Sequence, residues 1–103
     1  PCVLPKSLKT RQEQDAIRAA HIKDGVAVVK FLKWLDECSG EIEMDELSVE
    51  GKLEDFRREC PEYLGASFAT IAGFAEHGAI VHYRADKDSN ISIDRDGLLL
   101  VDR

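Results

Sequence analysis

Two polar residues lie alone in apolar surroundings in the second half of the chain, and both could do chemistry. His82 lies within the stretch Gly-Ala-Ile-Val-His-Tyr at residues 78–83, and Asp102 follows the apolar run Leu98–Val101. An imidazole can donate or accept a proton near neutral pH. A carboxylate at the end of a buried strand must be paired, hydrogen-bonded or bound to metal, because burying it bare is prohibitive. These two residues are therefore the candidate functional residues.

Each candidate also has a plain structural explanation, and residue type alone does not decide between the two. His82 could be a structural histidine on a strand face beside Ile80, and Asp102 could simply end its strand at a solvated edge. His21 and Asp24 are spaced i, i+3 on a predicted helix and could present two ligands together. No other ligand type converges on that pair, so a structural role is favoured for it.

Helix signals in the first half predict the elements that support these residues. Thr10 and Glu13 have the spacing of a capping box, which predicts a helix from Thr10 to about Cys38. Asp45 is the predicted N-cap of a second helix, with Glu46 in its positive first turn and its end near residues 60–61. Residues 1–9 are predicted to be an extended arm, since two prolines disfavour helix there.

The apolar pattern of the first helix is wider than a single stripe. Such a helix is expected to have neighbours on more than one side. The remaining elements of this chain can cover only part of it, so further partner structure is predicted. One face comprises Ile17, Ala20, Ala27, Phe31 and Leu35, and the other comprises Ile22, Val26, Val29 and Leu32.

Three strands are predicted after the helices. Alternating patterns predict strands at Ser67–Gly73 and Gly78–Arg84. The continuous apolar run Leu98–Val101 is typical of a strand that is covered on both faces. The predicted fold class is therefore α+β, with two helices packed on a small, mostly antiparallel sheet, in a single partial domain spanning residues 1–103.

Composition and charge exclude several classes of function. The chain has 103 residues, 44% apolar content and a net charge of −6, which disfavours nucleic acid as a partner. No apolar stretch reaches the ~18 residues of a membrane span, and no signal-peptide pattern opens the chain. Cys2, Cys38 and Cys60 are odd in number and widely spaced, so they are expected to be reduced. A cytoplasmic location is the resulting expectation.

The order of these segments resembles the start of the catalytic domain of aminopeptidase P (Xaa-Pro aminopeptidase), a pita-bread metallopeptidase. The similarity extends from about Leu4 to Asp102, in order and without gaps. It is carried by Ala20–Gly25, Phe31–Leu35, Lys52–Arg57, Ser67–Ile71, Gly78–Tyr83 and Leu98–Asp102. The resemblance implies the first half of a pita-bread (creatinase/aminopeptidase) fold, whose two halves normally cover each other.

The same resemblance implies roles for both candidates. Asp102 would be one ligand of a dinuclear manganese or cobalt site completed by a second Asp, a His and two Glu, and His82 would contact an X-Pro peptide substrate. Those other ligands would lie beyond residue 103. The isolated chain is therefore expected to bind no metal tightly and to be inactive. The alternative is a non-catalytic remnant that self-associates or binds a separate second half.

Two departures from the family pattern are visible. Ala75-Glu76-His77 stands where family members usually have Gly and Asn, residues that tolerate positive φ better than alanine does. Arg103 stands where the family has a small Ser or Ala followed by Gly. The first departure is expected to alter the turn before Gly78–Tyr83.

Overall fold

Two long helices and a two-stranded antiparallel sheet make up the computed structural model, which describes residues 2–65 and 69–103. The α+β prediction is confirmed. A 3-10 helix, Ala75–Ala79, directly follows the first strand. The helices are α1 (Val3–Ser7), α2 (Arg11–Cys38) and α3 (Glu46–Arg58), and the strands are β1 (Ile71–Phe74) and β2 (Leu99–Asp102).

Both long helices begin where their capping residues predict. The Thr10 hydroxyl accepts a hydrogen bond from the Glu13 amide at 3.1 Å. At the start of α3, the Asp45 carboxylate accepts from the Ser48 amide at 2.7 Å, and the Asp45 amide donates to the Ser48 hydroxyl at 2.9 Å. This reciprocal capping box satisfies amide groups that have no partner within the helix.

Residues 1–9 were predicted to be an extended arm, but the described part of that arm, residues 2–9, contains the short helix α1. Pro5 is the third residue of that helix, where the amide of any residue would lack an intrahelical partner, so a proline there costs little. The Lys6 amide donates to the Cys2 carbonyl at 3.0 Å. No residue of α1 is buried, so it adds nothing to the core.

The core lies between the two long helices and one face of the sheet. In the sheet, Phe74 pairs with Leu99 and Ile71 pairs with Asp102. Partly buried side chains from α2, α3 and β2 pack around a fully buried centre. That centre comprises Phe31, Val49, Leu53 and Ala72.

The last strand packs against the core on one face only and is largely exposed on the other, so the prediction that both faces would be covered is wrong for the described residues. Leu99 and Val101 pack toward the core, whereas Leu98 is 87% exposed and Leu100 is 47% exposed. The second apolar face predicted for α2 is likewise more than half exposed at Ile22, Val26, Val29 and Leu32. No helix in the described part of the chain is both long and apolar enough to cross a bilayer.

The strand predicted at Gly78–Arg84 is also wrong. Its first residues belong to the 3-10 helix and the next form a turn, in which the Tyr83 amide donates to the Ile80 carbonyl at 3.2 Å. Tyr83 is buried but Val81 is exposed, which breaks the alternation that predicted a strand. Of the strand predicted at Ser67–Gly73, residues 67 and 68 lie outside the described residues, and β1 begins at Ile71.

The turn after β1 is tight and strained. Gly73 is required there because a methyl group on it would lie 2.9 Å from the His77 carbonyl oxygen. Ala75 has a φ of 54°, in the left-handed region that alanine rarely adopts. Alanine here occupies a conformation that suits glycine, and the expectation that the departure at residues 75–77 alters the turn stays a prediction.

Replacing Ala75 by glycine is expected to stabilise the fold by about 0.5–1 kcal/mol, because relief of left-handed strain exceeds the added chain entropy. The free energy of unfolding, measured by urea denaturation, tests this. Ala79→Gly is the matched control in the same 3-10 helix, where φ is not positive. Ala79→Gly should lower the free energy of unfolding. Equal changes in the free energy of unfolding in the two variants would contradict the inference that Ala75 is strained.

Candidate functional site

Asp102 ends β2, as the sequence predicts. It pairs with Ile71 across the sheet and is exposed on the face shared with Leu98 and Leu100. This face is turned away from the helices, because the alternate residues Leu99 and Val101 pack into the core. The carboxylate is therefore available to a ligand, and its role in metal binding stays a prediction.

An ion-pair cluster anchors the chain immediately after Asp102. The Arg103 guanidinium lies 2.8 Å from one carboxylate oxygen of Asp24, and Arg57 Nε lies 3.1 Å from the other. The end of β2 is thereby joined to both long helices. Asp24 thus has a structural use, as favoured from the sequence, and His21 is exposed beside it.

His82 lies in the turn after the 3-10 helix, not on a strand. Its side chain is exposed and its φ is 55°. A left-handed histidine is uncommon, and such backbone conformations cluster at functional sites. The observed conformation is compatible with a substrate-contacting role, which stays a prediction.

The segment that carries His82 passes over the same face of the sheet as Asp102. A methyl group on Gly78 would lie 3.6 Å from Leu100 Cβ, and Leu100 shares its strand face with Asp102. The 3-10 helix therefore lies against this open face. Within residues 2–65 and 69–103, no three His, Cys, Asp or Glu side chains are grouped closely enough to hold a metal ion.

A fully buried carboxylate, Glu46, holds the segment in place. Its Oε2 accepts from the Phe74 amide at 2.7 Å, and its Oε1 accepts from the Tyr83 hydroxyl at 2.7 Å and the Ile91 amide at 3.3 Å. His77 Nδ1 lies 3.0 Å from both oxygens. The His77 and Tyr83 rings also pack together with centroids 4.5 Å apart.

Hydrogen bonding keeps this buried carboxyl ionised. Burial by itself raises the pKa of Glu46, but the donors from Phe74, Tyr83, His77 and Ile91 together hold it below its usual value. Burial also raises the pKa of Tyr83, and the adjacent Glu46 carboxylate raises it further. Tyr83 therefore remains a protonated donor at neutral pH.

The sequence did not identify Glu46 as a buried hub. It predicted Glu46 only as an acid in the first turn of a helix, a position that is usually solvated. Its partners follow it by 28 to 45 residues in the chain, so no local pattern reveals them. Among these partners, Tyr83 was noted in the sequence as the neighbour of His82. Nothing around it indicated that its hydroxyl would point into the core.

Comparison with known families identifies the class of this fold. The family model described as "Metallopeptidase family M24" matches residues 15–103. The chain belongs to metallopeptidase family M24. Its partial α+β architecture is consistent with part of that family's pita-bread fold.

Curated relatives of this M24 chain match nearly all of it. Xaa-Pro aminopeptidase 1 of Dictyostelium discoideum is 39% identical over 99% of the chain and 17% of its own length. Probable Xaa-Pro aminopeptidase P of Neurospora crassa is 34% identical over 94% of the chain and 14% of its own length. Aminopeptidase P1 of Lotus japonicus is 32% identical over 99% of the chain and 19% of its own length. The chain therefore spans less than a fifth of each of these relatives.

Membership of M24 implies a divalent metal in a complete enzyme. The described residues do not fit a dinuclear metal site by themselves, because no three of their His, Cys, Asp or Glu side chains, Asp102 included, are grouped closely enough to hold a metal ion. Dinuclear sites need several oxygen and imidazole ligands around two ions. No catalytic step through a metal is therefore derived from these residues.

Removal of the Glu46 charge is expected to destabilise the M24 fold strongly. Glu46→Gln should lower the free energy of unfolding by about 2–4 kcal/mol, because its amide group places donors against donors in a buried space. Glu54→Gln is the control, since Glu54 lies on a partly exposed side of α3, where it accepts from the Tyr63 hydroxyl at 2.9 Å and lies 3.5 Å from Arg58 Nε. Equal losses in the two variants would contradict the hub.

The pH dependence of stability provides a second readout of Glu46. A carboxyl whose pKa folding lowers stabilises the fold above its unfolded value, here 4.5, and this stabilisation is lost as pH falls through the lower folded value. Denaturation curves at successive pH values should therefore show less loss below 4.5 in Glu46→Gln than in the unsubstituted protein.

The neutral His77 ring is expected to carry its proton on Nδ1, because that nitrogen faces both Glu46 oxygens at 3.0 Å. Nitrogen-15 shifts from long-range proton correlation spectra distinguish the two tautomers. His21, which is exposed, serves as the reference ring. An unprotonated Nδ1 in His77 would be incompatible with this arrangement.

Proposed function

We propose that this chain is the amino-terminal part of the catalytic domain of an Xaa-Pro aminopeptidase. The observation that carries the proposal is its 39% identity, over 99% of its length, with a protein named Xaa-Pro aminopeptidase 1. The complete enzyme would hydrolyse the bond between an N-terminal residue and a following proline. We also propose that it works in the cytoplasm.

Asp102 is proposed to supply one metal ligand, in a site completed by residues outside the described ones. Support comes from its exposed position at the end of β2 and from the anchoring of the next residue, Arg103, to α2 and α3 through Asp24. We expect manganese or cobalt, since oxygen-rich sites suit such ions. A bound pair of ions would supply an activated water and polarise the scissile carbonyl.

His82 is proposed to contact the peptide substrate. Its imidazole is exposed, and its backbone is held in a left-handed conformation beside the buried Tyr83. A positioned imidazole can donate a hydrogen bond or a proton to a reacting group near neutral pH. The X-Pro peptide would then lie over the open face of the sheet that carries Asp102.

Release of the first residue from an X-Pro peptide in the presence of manganese tests the proposal. The natural translation product should release it, and the same peptide with alanine in place of proline should be cleaved far more slowly. A polypeptide limited to residues 1–103 should be inactive because the other ligands are absent. Measurable manganese-dependent release by that polypeptide would contradict this expectation.

Substitutions test whether Asp102 and His82 matter for activity more than other exposed residues do. Asp102→Asn and His82→Ala should each lower kcat/KM of the active product by about 100-fold or more. Asp102→Asn should also reduce the bound metal. Asp96→Asn, an exposed acid in the turn before β2, is the matched control and should leave both unchanged.

A non-catalytic interaction module is the second candidate. It is favoured by the exposed apolar face of α2, formed by Ile22, Val26, Val29 and Leu32, because large apolar patches mark association sites. Light scattering on the purified polypeptide distinguishes this reading. A well-folded monomer at high concentration would count against it.

A further inference from the structure

The carboxylate of Glu46 contacts the chain on both sides of His82's turn. Phe74, which donates from its amide at 2.7 Å, precedes the 3-10 helix, and Tyr83, which donates from its hydroxyl at 2.7 Å, follows His82 directly. His77 contacts the same carboxylate from within the segment. One buried group therefore fixes the start, the middle and the end of residues 74–83.

The segment needs such a restraint because its backbone is strained. Ala75 and His82 are the two non-glycine residues of the described chain with positive φ, at 54° and 55°. Left-handed conformations of this kind cost of order 1–3 kcal/mol each and persist only where the surroundings enforce them. Without the contacts to Glu46, the turn would relax toward ordinary backbone angles and His82 would move.

His82 itself is exposed, so its position is set through its neighbour and not through its own packing. Tyr83 is buried, and its hydroxyl lies 2.7 Å from Glu46 Oε1 and 3.2 Å from Ser89 Oγ. Adjacent residues share a peptide unit, so holding the Tyr83 side chain inward constrains the direction of the His82 side chain. The Glu46 carboxylate is therefore connected to His82 through the hydroxyl and side chain of Tyr83 and the peptide bond that joins Tyr83 to His82.

We propose that Glu46 is a positioning residue that acts through the Tyr83 hydroxyl to hold His82 where it meets the substrate. This inference rests on the proposed function, in which His82 contacts the peptide. Glu46 does not touch substrate, because it is fully buried. Its contribution is to keep the imidazole at a fixed distance and angle, which catalysis requires to within fractions of an ångström.

Helix α3 offers a matched pair of tyrosine contacts for the test. The Tyr83 hydroxyl contacts Glu46, and the Tyr63 hydroxyl contacts Glu54 at 2.9 Å. Tyr83→Phe removes one hydroxyl from the path and leaves the ring and the other donors to Glu46 in place. Tyr63→Phe removes a hydroxyl that donates to Glu54 instead of Glu46.

In the natural translation product, Tyr83→Phe should lower kcat for X-Pro cleavage about tenfold or more and leave KM within about twofold, because misplacement affects the reacting geometry more than binding. Tyr63→Phe should change neither constant. Amide hydrogen exchange across residues 75–84 should be faster in Tyr83→Phe than in Tyr63→Phe. All assays are run well below the unfolding temperature, so that the variants stay folded and differences in overall stability do not affect the measured rates.

The outcomes separate this inference from the proposed function. No X-Pro activity in the unsubstituted protein would overturn the proposed function and the catalytic part of this inference. Activity with unchanged kcat and unchanged exchange in Tyr83→Phe would overturn the positioning role alone. A kcat loss shared by Tyr63→Phe would also overturn it, because general loosening of α3 would then explain the effect.

Discussion

The buried carboxylate of Glu46 is the constraint on which the rest of this structure depends. An isolated ionised carboxylate costs several kcal/mol to bury, and this one is tolerated because two amides, a hydroxyl and an imidazole surround it. Those donors come from residues 74–83 and from Ile91, all of which follow α3 in the chain. Because the carboxylate is stable only with these donors around it, residues 74–83 and Ile91 must meet the start of α3 in one arrangement.

Local signals account for the parts of the fold that the sequence predicts well. The starts of the two long helices, at Thr10 and Asp45, depend on contacts between residues three positions apart. They can therefore be predicted without knowledge of the rest of the chain. The same is true of β2, whose apolar run and final aspartate mark a strand and its end. The position of Asp102 at the end of a strand could therefore be predicted from neighbouring residues alone.

The errors arise where distant contacts override local preference. Residues 78–84 alternate like a strand, but Tyr83 is drawn inward by Glu46, which precedes it by 37 positions, and the backbone at His82 becomes left-handed. No pattern within residues 78–84 indicates this contact with Glu46. The prediction that both faces of β2 would be covered is wrong for a related reason. An apolar run shows that a strand is suited to burial on both faces, but it does not show whether this part of the chain contains the residues that would cover them.

The residues Ala75-Glu76-His77 show how such a site can tolerate an unfavourable turn residue. Left-handed alanine costs roughly 1–2 kcal/mol, and glycine would avoid that cost. A hydrogen bond to a charged group contributes roughly 1.5–3 kcal/mol, and His77 makes one to Glu46 from within the same turn. The two effects are of similar size, so the contact with the buried carboxylate can offset the strain of the turn. The turn's shape is then set by the contact with Glu46 and not by the conformational preferences of its own residues.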